Sequence, residues 1–262
     1  LRRPGKRSKA IEMGVQTFES FDGQAIAWRE MGAGRPVVLL HGYFSDAHTN
    51  WIKYGAAEQI AARGFRVILP DLRGHGDSAR PHEPAAYPPD ALAMDAAALI
   101  AHLALNDFDL GGYSLGARTV VRMLARGEGA MPRRVILSGM GLSGLLDTGA
   151  RAAHFRHVLT HLGQHERGSG AWMAEAFLKN TGGDPVALLG ILDTFVDSSE
   201  TEIAAIGQRT LVLAGVEDND NGSHAALAAL LGDAVPVEIP GNHMSAVTRP
   251  EFGAAIGDFL AG

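Results

Sequence analysis

The chain contains no cysteine among its 262 residues. This excludes a disulfide framework, a thiol nucleophile and thiolate metal sites, and it fits a reducing compartment. Positive charge is also in short supply. Lys and Arg number 23 against 29 Asp and Glu, a net charge of −6, which argues against a nucleic-acid partner. No apolar run approaches the ~18 residues of a membrane span, so no membrane partner is expected. There is no internal repeat and no low-complexity tract. The N-terminal stretch carries Arg2, Arg3, Lys6, Arg7 and Lys9, without an acid and without an apolar segment after it. It does not read as a secretory signal. Residues 1–12 are expected to be a disordered basic arm or a cloning remnant, with Met13 a natural start, and the protein is expected in the cytoplasm.

Hydrophobic residues make up 46% of the chain and charged residues 20%, the profile of one large globular domain. Gln16–Ser20 and Ala25–Glu30 alternate around Asp22-Gly23, which predicts an antiparallel hairpin. Short apolar runs at Val37–Leu40, Phe65–Leu69, Val135–Leu137, Leu211–Leu213 and Val235–Ile239 read as strands buried on both faces. Helical patterns separate them at Trp51–Arg63, Asp90–Leu105, Gly222–Leu231 and Pro250–Leu260. The fold class is therefore α/β: a mostly parallel central sheet with helices on both faces and an antiparallel N-terminal hairpin. From Gly141 to about Ile206 the strand pattern stops. Helical segments there are broken by turns such as Asn180-Thr181-Gly182-Gly183-Asp184-Pro185. An insertion between parallel strands lies above their C-terminal edge, where ligands bind. Residues 141–206 are expected to form a helical cap, and 13–140 with 207–262 the core. The other reading is a small second domain with no role at the site.

Gly112-Tyr113-Ser114-Leu115-Gly116 follows the strand-like Phe108-Asp109-Leu110 and precedes a helix pattern at Ala117, Val120, Val121 and Leu124. A turn this tight strains the serine backbone, and a Cβ on either glycine would collide with the neighbouring strand and helix. The hydroxyl is pushed clear, beside N–H groups at a helix N-terminus that suit an anion. Such a serine needs a base, and the base needs an orienting acid. His243 lies just past the strand at Val235–Ile239, in the loop Pro240-Gly241-Asn242. Asp218 lies just past Leu211–Gly215, with Glu217 and Asp220 as rivals. Two N–H donors are expected for an oxyanion, from Leu115 and from Tyr43 in the loop His41-Gly42-Tyr43-Phe44. His41 is expected to support that loop. Asp71-Leu72-Arg73-Gly74-His75-Gly76-Asp77-Ser78 matches no phosphate-loop pattern. It reads as a tight charged turn beside the serine.

These residues carry a resemblance. His41-Gly42, Asp71–Ser78, Gly112–Gly116, Gly215-x-x-Asp218 and Gly241-Asn242-His243, in this order, resemble the α/β-hydrolase superfamily and its cap-bearing, esterase-like serine hydrolases. The resemblance runs from about Val15 to Leu260. It implies Ser114, Asp218 and His243 as a triad, Tyr43 and Leu115 as oxyanion donors, and no metal or organic cofactor. Epoxide hydrolases and haloalkane dehalogenases carry Asp where this chain has Ser114. The cap tyrosines of epoxide hydrolases have no counterpart here. Carbon–carbon bond hydrolases commonly carry Trp where Met244 stands, and the Pro that many relatives place after the acid is absent.

Trp172, Met173 and Phe177 read either as an apolar substrate wall or as cap core. His154, His157, His161 and His165 share one helix face, which reads as a solvent-facing or mouth-lining stripe, the alternative being a zinc or copper site. The expected partner is a small-molecule substrate with an ester-type bond and an apolar acyl or alcohol group. The chain sets no oligomeric state. The alternatives are other chemistry on the same triad, namely thioester or lactone hydrolysis, carbon–carbon hydrolysis, perhydrolysis, a lyase or cofactor-free oxygen chemistry, or a small-molecule sensor with slow turnover.

Overall fold

The computed structural model describes residues 14–127 and 129–262; the expectation for residues 1–12 lies outside them. Among the described residues, eight strands form one sheet in the order β1-β2-β4-β3-β5-β6-β7-β8. The hairpin β1 (Gln16–Glu19) and β2 (Ala25–Gly32) is antiparallel within itself and against β4 (Phe65–Pro70). All other pairings are parallel, through β3 (Arg35–Leu40), β5 (Asp109–Tyr113), β6 (Arg134–Ser138), β7 (Arg209–Gly215) and β8 (Ala234–Ile239).

The alternation of side chains along a strand explains the two-sided core. On β3, Val38 and Leu40 face a layer containing α2 (Ala91–His102) and α3 (Leu115–Arg126). Val37 and Leu39 face the opposite layer, with α1 (Ala56–Ala61) and α10 (Pro250–Ala261). All four are fully buried. Each such side chain contributes roughly 1.5–3 kcal/mol on burial. Both faces are covered, so the parallel strands read as continuous apolar runs.

Element boundaries differ from the expected ones for local reasons. The helix anticipated over 51–63 is divided. A π-helical turn at His48–Ile52 is separated from α1 by Gly55, whose φ of 80° lies in the left-handed region. Helix α2 begins at Ala91 because Asp90 itself has φ 61°. Its carboxylate is turned toward Arg122, whose Nε and Nη2 both donate to it at 2.9 Å. The strand before Ser114 runs on through Gly111 and Gly112 to Tyr113. Helix α9 spans His224–Leu230 and starts after Ser223, whose hydroxyl accepts the Ala226 N–H.

Between β6 and β7 the chain is helical: α4 (Leu142–Leu146), α5 (Gly149–Thr160), α6 (Gly170–Thr181), α7 (Pro185–Asp193) and α8 (Glu200–Ala204). Their starts follow ordinary capping chemistry. Asp184 accepts two N–H groups of α7, and Ser199 with Glu202 forms a reciprocal capping box on α8. The insertion has its own small core of Val158, Leu159, Leu178, Leu188 and Leu192, joined by Phe44 from the loop after β3. No helix among the described residues is long and apolar enough to cross a membrane.

Packing leaves no room for a side chain at Gly116, where a Cβ would lie 2.2 Å from the Leu40 carbonyl oxygen. Backbone cannot yield there as a flexible side chain can. Gly116→Ala should therefore cost at least about 1–3 kcal/mol and lower Tm by several degrees in thermal denaturation. Gly207→Ala, whose Cβ would meet nothing within 4 Å, should leave Tm within error of wild type.

Candidate active site

Ser114 sits at the junction of β5 and α3 with φ 52° and ψ −109°, a region that costs a non-glycine residue about 1–3 kcal/mol. Its neighbours hold it there. A Cβ on Gly112 would come within 2.2 Å of the Gly116 carbonyl carbon, so only glycine lets strand and helix pass this closely. The Ser114 N–H donates to the Ser138 carbonyl at 2.8 Å, and the Ser138 hydroxyl donates to the Gly112 carbonyl at 2.7 Å. The end of β6 thus ties down both sides of the turn. The serine side chain stands over the first turn of α3, whose leading N–H groups have no partners within the helix.

His243, in the loop after β8, places Nε2 3.1 Å from Ser114 Oγ. Its Nδ1 lies 2.9 Å from Asp218 Oδ2, in the loop after β7. A carboxylate only accepts, so Nδ1 carries the proton and Nε2 presents its lone pair to the serine hydroxyl. Both side chains are buried. Burial by itself raises the Asp218 carboxyl pKa. The hydrogen bond and charge of His243, the Asp220 N–H and Arg151 outweigh it and hold the group below its ordinary value. The rivals point elsewhere: Glu217 is exposed, and the Asp220 carboxylate takes Arg151 at 3.2 Å. The Tyr113 hydroxyl donates to the His243 carbonyl, and its ring lies 5.3 Å from the imidazole.

The loop after β3 forms the opposite wall. The Gly42 N–H donates to Asn50 Oδ1 at 3.0 Å. His41 donates from Nδ1 to the Gly42 carbonyl at 2.8 Å and accepts the Leu72 N–H at Nε2 at 2.9 Å, so it braces the loop. Burial and the coulombic effect of nearby Arg29 lower its pKa, against the pull of Asp71 and Asp46. Asp71 ties this region together: its carboxylate accepts the Ala47 N–H at 2.8 Å, the Asp77 N–H at 2.9 Å and Arg29 Nη1 at 2.9 Å. This is what the charged turn 71–78 does beside the serine. The Tyr43 hydroxyl donates to the Leu188 carbonyl at 2.6 Å, and the Thr181 hydroxyl donates to the Phe44 carbonyl at 2.7 Å. The insertion is therefore fastened to both residues of the loop. Among the described residues, the Tyr43 N–H makes no hydrogen bond.

A cavity of about 130 Å³ opens over this set, lined by Ser114, His243, Tyr43, Phe155, Phe177 and Arg151 among others. Of the anticipated apolar wall, only Phe177 reaches it. Trp172 and Met173 lie outside it and are exposed, at 38% and 56%. The four histidines do not share one helix face: α5 ends at Thr160, His161 lies just past it with its ring 4.4 Å from that of His157, and His165, beyond the helix, donates to the Val158 carbonyl at 3.0 Å. Asn50, the Tyr113 hydroxyl and Arg151 were not singled out by sequence reasoning. Asn50 follows Gly42 at a fixed short distance and Tyr113 occupies the variable position of the serine motif, but no spacing announces either contact. Arg151 had no local signal.

The family described as alpha/beta hydrolase fold matches residues 35–160. The AB hydrolase superfamily protein YisY of Bacillus subtilis is 40% identical over 108 residues, 41% of this chain and 38% of that protein. A non-heme haloperoxidase of Rhodococcus erythropolis is 36% identical over 122 residues, 45% of this chain and 42% of the relative. The matched region thus spans about two fifths of the length of these curated relatives. Among solved structures, a thermophilic esterase from Thermogutta terrifontis superposes with a TM-score of 0.76 at 24% identity, covering 94% of this chain and 98% of that one. The sheet order, the serine turn and these matches agree: the chain has the α/β-hydrolase fold.

Proposed function

We propose that this protein is a serine hydrolase that cleaves an ester-type bond of a small to medium, largely apolar substrate through an acyl-enzyme. The observation that carries the reading is the hydrogen-bonded row Asp218–His243–Ser114 opening on the 130 Å³ cavity. In this reading His243 Nε2 takes the proton from Ser114 Oγ as that oxygen attacks the carbonyl carbon. Asp218 keeps the imidazole in the required tautomer and balances the imidazolium. The Tyr43 and Leu115 N–H groups stabilise the tetrahedral oxyanion. The leaving alcohol takes the proton from His243, and water then repeats the sequence on the acyl-enzyme. Only protein groups and water take part.

The insertion at 141–206 serves in this reading as a cap, with the flanking segments as the hydrolase core. The hydroxyls of Tyr43 and Thr181 fasten that cap to the oxyanion loop. Phe155, Phe177, Met244 and Val247 give the cavity an apolar lining, which suits a hydrocarbon acyl or alcohol group.

Hydrolysis of p-nitrophenyl esters of graded acyl length tests the reading. Wild type should turn over short to medium esters and lose activity as the acyl chain outgrows the cavity. Ser114→Ala should lower kcat/KM at least ~10³-fold with Tm unchanged or raised. Equal rates in both proteins overturn the assignment of Ser114. Asp218→Asn should keep the fold and lower kcat by about 10²–10⁴-fold, because an amide can no longer hold the imidazole in the productive tautomer. A mutant as fast as wild type removes Asp218 from the mechanism.

A further inference from the structure

Arg151 stands on α5, near the start of the insertion, and lines the catalytic cavity together with Ser114 and His243. The proposed chemistry gives it no part. Its guanidinium carbon lies 4.9 Å over the Phe155 ring, a stacked position that fixes a planar cation and leaves its N–H groups to bond elsewhere. One of them, at Nη2, donates to Asp220 Oδ2 at 3.2 Å. The Asp220 carboxylate makes no other hydrogen bond or ion pair among the described residues. This contact joins the insertion to the loop after β7.

That loop carries Asp218, and Asp220 helps to orient it. The Asp220 N–H donates to Asp218 Oδ1 at 3.2 Å, while Asp218 Oδ2 meets His243 Nδ1 at 2.9 Å. Each oxygen of the Asp218 carboxylate thus has its own partner, one on the backbone and one on the imidazole. The far end of the loop is tied independently. Asn221 Nδ2 donates to the Gly139 carbonyl at 2.8 Å, and the Asn221 carbonyl accepts the Gly144 N–H at 2.9 Å. The Asp220 side chain, 47% exposed, is held at the cavity by Arg151. The same helix bears on the facing wall through Phe155, whose ring lies 4.8 Å from that of Tyr43 and 5.2 Å from that of Phe44. Residues four apart lie one above the other on a helix, so a single turn of α5 reaches both the Asp218 loop and the Tyr43 loop.

We propose that Arg151 is a positioning residue: by holding Asp220 it sets the angle of the Asp218 carboxylate toward His243, so that alignment of the acid depends on how the insertion is docked. The proposal rests on the hydrolase reading for the role of Asp218. The ion pair is a single, partly exposed contact and contributes little to global stability. Its effect is on geometry. Without Arg151 the Asp220 side chain is drawn out into water, and the N–H that it presents to Asp218 turns with it. A carboxylate that swings spends less time in line with His243 Nδ1, and a transition state that forms an imidazolium is sensitive to that loss.

The first test is steady-state hydrolysis of p-nitrophenyl butyrate, a neutral ester that offers an arginine no carboxylate. Arg151→Met should lower kcat about threefold to tenfold, the scale of a partly exposed ion pair. KM should hold within about twofold, and Tm should fall by no more than about 2–4 °C. Arg151→Lys, which keeps the charge, should recover part of the loss. Asp220→Ala, which keeps the N–H on Asp218, should match Arg151→Met, and the double variant should be no slower than either single one. In an Asp218→Asn background Arg151→Met should have no further effect on kcat, because the acid it positions is gone. Arg156→Met, which breaks an ion pair of the same helix with Asp193 at 2.7 Å, should match wild type. A raised KM with kcat retained makes Arg151 a substrate contact and overturns the proposal. An unchanged kcat overturns it too, as does a loss carried in full into the Asp218→Asn background. If Arg151→Met does not fold, Arg151→Lys and Asp220→Ala carry the same comparison.

The second test needs no turnover. The His243 Nδ1 proton bonded to Asp218 should give a downfield resonance in the proton NMR spectrum. Its exchange with water should be severalfold faster in Arg151→Met than in wild type, and unchanged in Arg156→Met. Equal exchange in wild type and Arg151→Met overturns the proposal, as does a wild-type proton that exchanges too fast to be seen; hydrolysis of the ester then leaves the hydrolase reading intact. Faster exchange in Arg151→Met, in a protein that hydrolyses no ester, supports the link from Arg151 to Asp218 and sinks the hydrolase reading.

Discussion

The crossing of α3 over β3 and β5, in the middle of the sheet, is the constraint on which the site depends. Gly116 presses against the Leu40 carbonyl, and Gly112 against Gly116 itself, at distances that leave no room for a side chain. Helix α3 can approach the sheet this closely only if the turn before it is abrupt. The abrupt turn forces Ser114 into a backbone conformation that side-chain-bearing residues avoid. That strain is sustained by the buried apolar layer between α3 and the sheet, where Ala117, Val120 and Val121 are fully covered. The exposure of the serine hydroxyl is thus an effect of packing several residues away.

A second set of contacts fixes the wall facing the serine. Asp71 is buried and fully bonded, and its carboxyl pKa is lowered: burial raises it, but His41, the Asp77 and Ala47 N–H groups and Arg29 outweigh that. It connects β2, the loop after β3 and the turn at 71–78. Gly76 shows how closely that turn is wound, since a Cβ there would fall 2.2 Å from the Asp71 carboxyl carbon. His75, stacked edge-on to His41 and Tyr43, is held neutral, with its pKa lowered to about 3 by burial and then by His41. The Asp71 carboxylate and the His41 ring therefore brace the Tyr43 loop from behind, while His75 Nε2 and Asn50 Nδ2 are buried there with no hydrogen-bond partner among the described residues.

Much of this was legible in the sequence because the causes are local. The serine turn needs glycines at set offsets, and loops after parallel strands all open on one edge of the sheet, so Ser114, Asp218 and His243 could be placed together from order and spacing. The pattern over 51–63 reads as one helix, but one positive-φ glycine, Gly55, divides it. The side of α6 that faces the cavity was not legible. Phe177 lies about 140° around the helix from Trp172, and Met173 stands about 6 Å farther along the axis. Which face turns inward depends on how the insertion docks, and that depends on Tyr43, Thr181 and the small core around Phe44. Arg151 and Asn50 were invisible for a related reason: each matters through what it meets in space.

The Tyr113 hydroxyl bonded to the His243 carbonyl has a consequence for alignment. Tyr113 is the covalent neighbour of Ser114, so the loop bearing the histidine is moored to the segment bearing the serine and not only to its own strand. Breathing of the sheet edge carries both groups along together. The spacing between oxygen and imidazole is then set over a few bonds and one contact, which lowers the entropy lost each time the pair is brought into register.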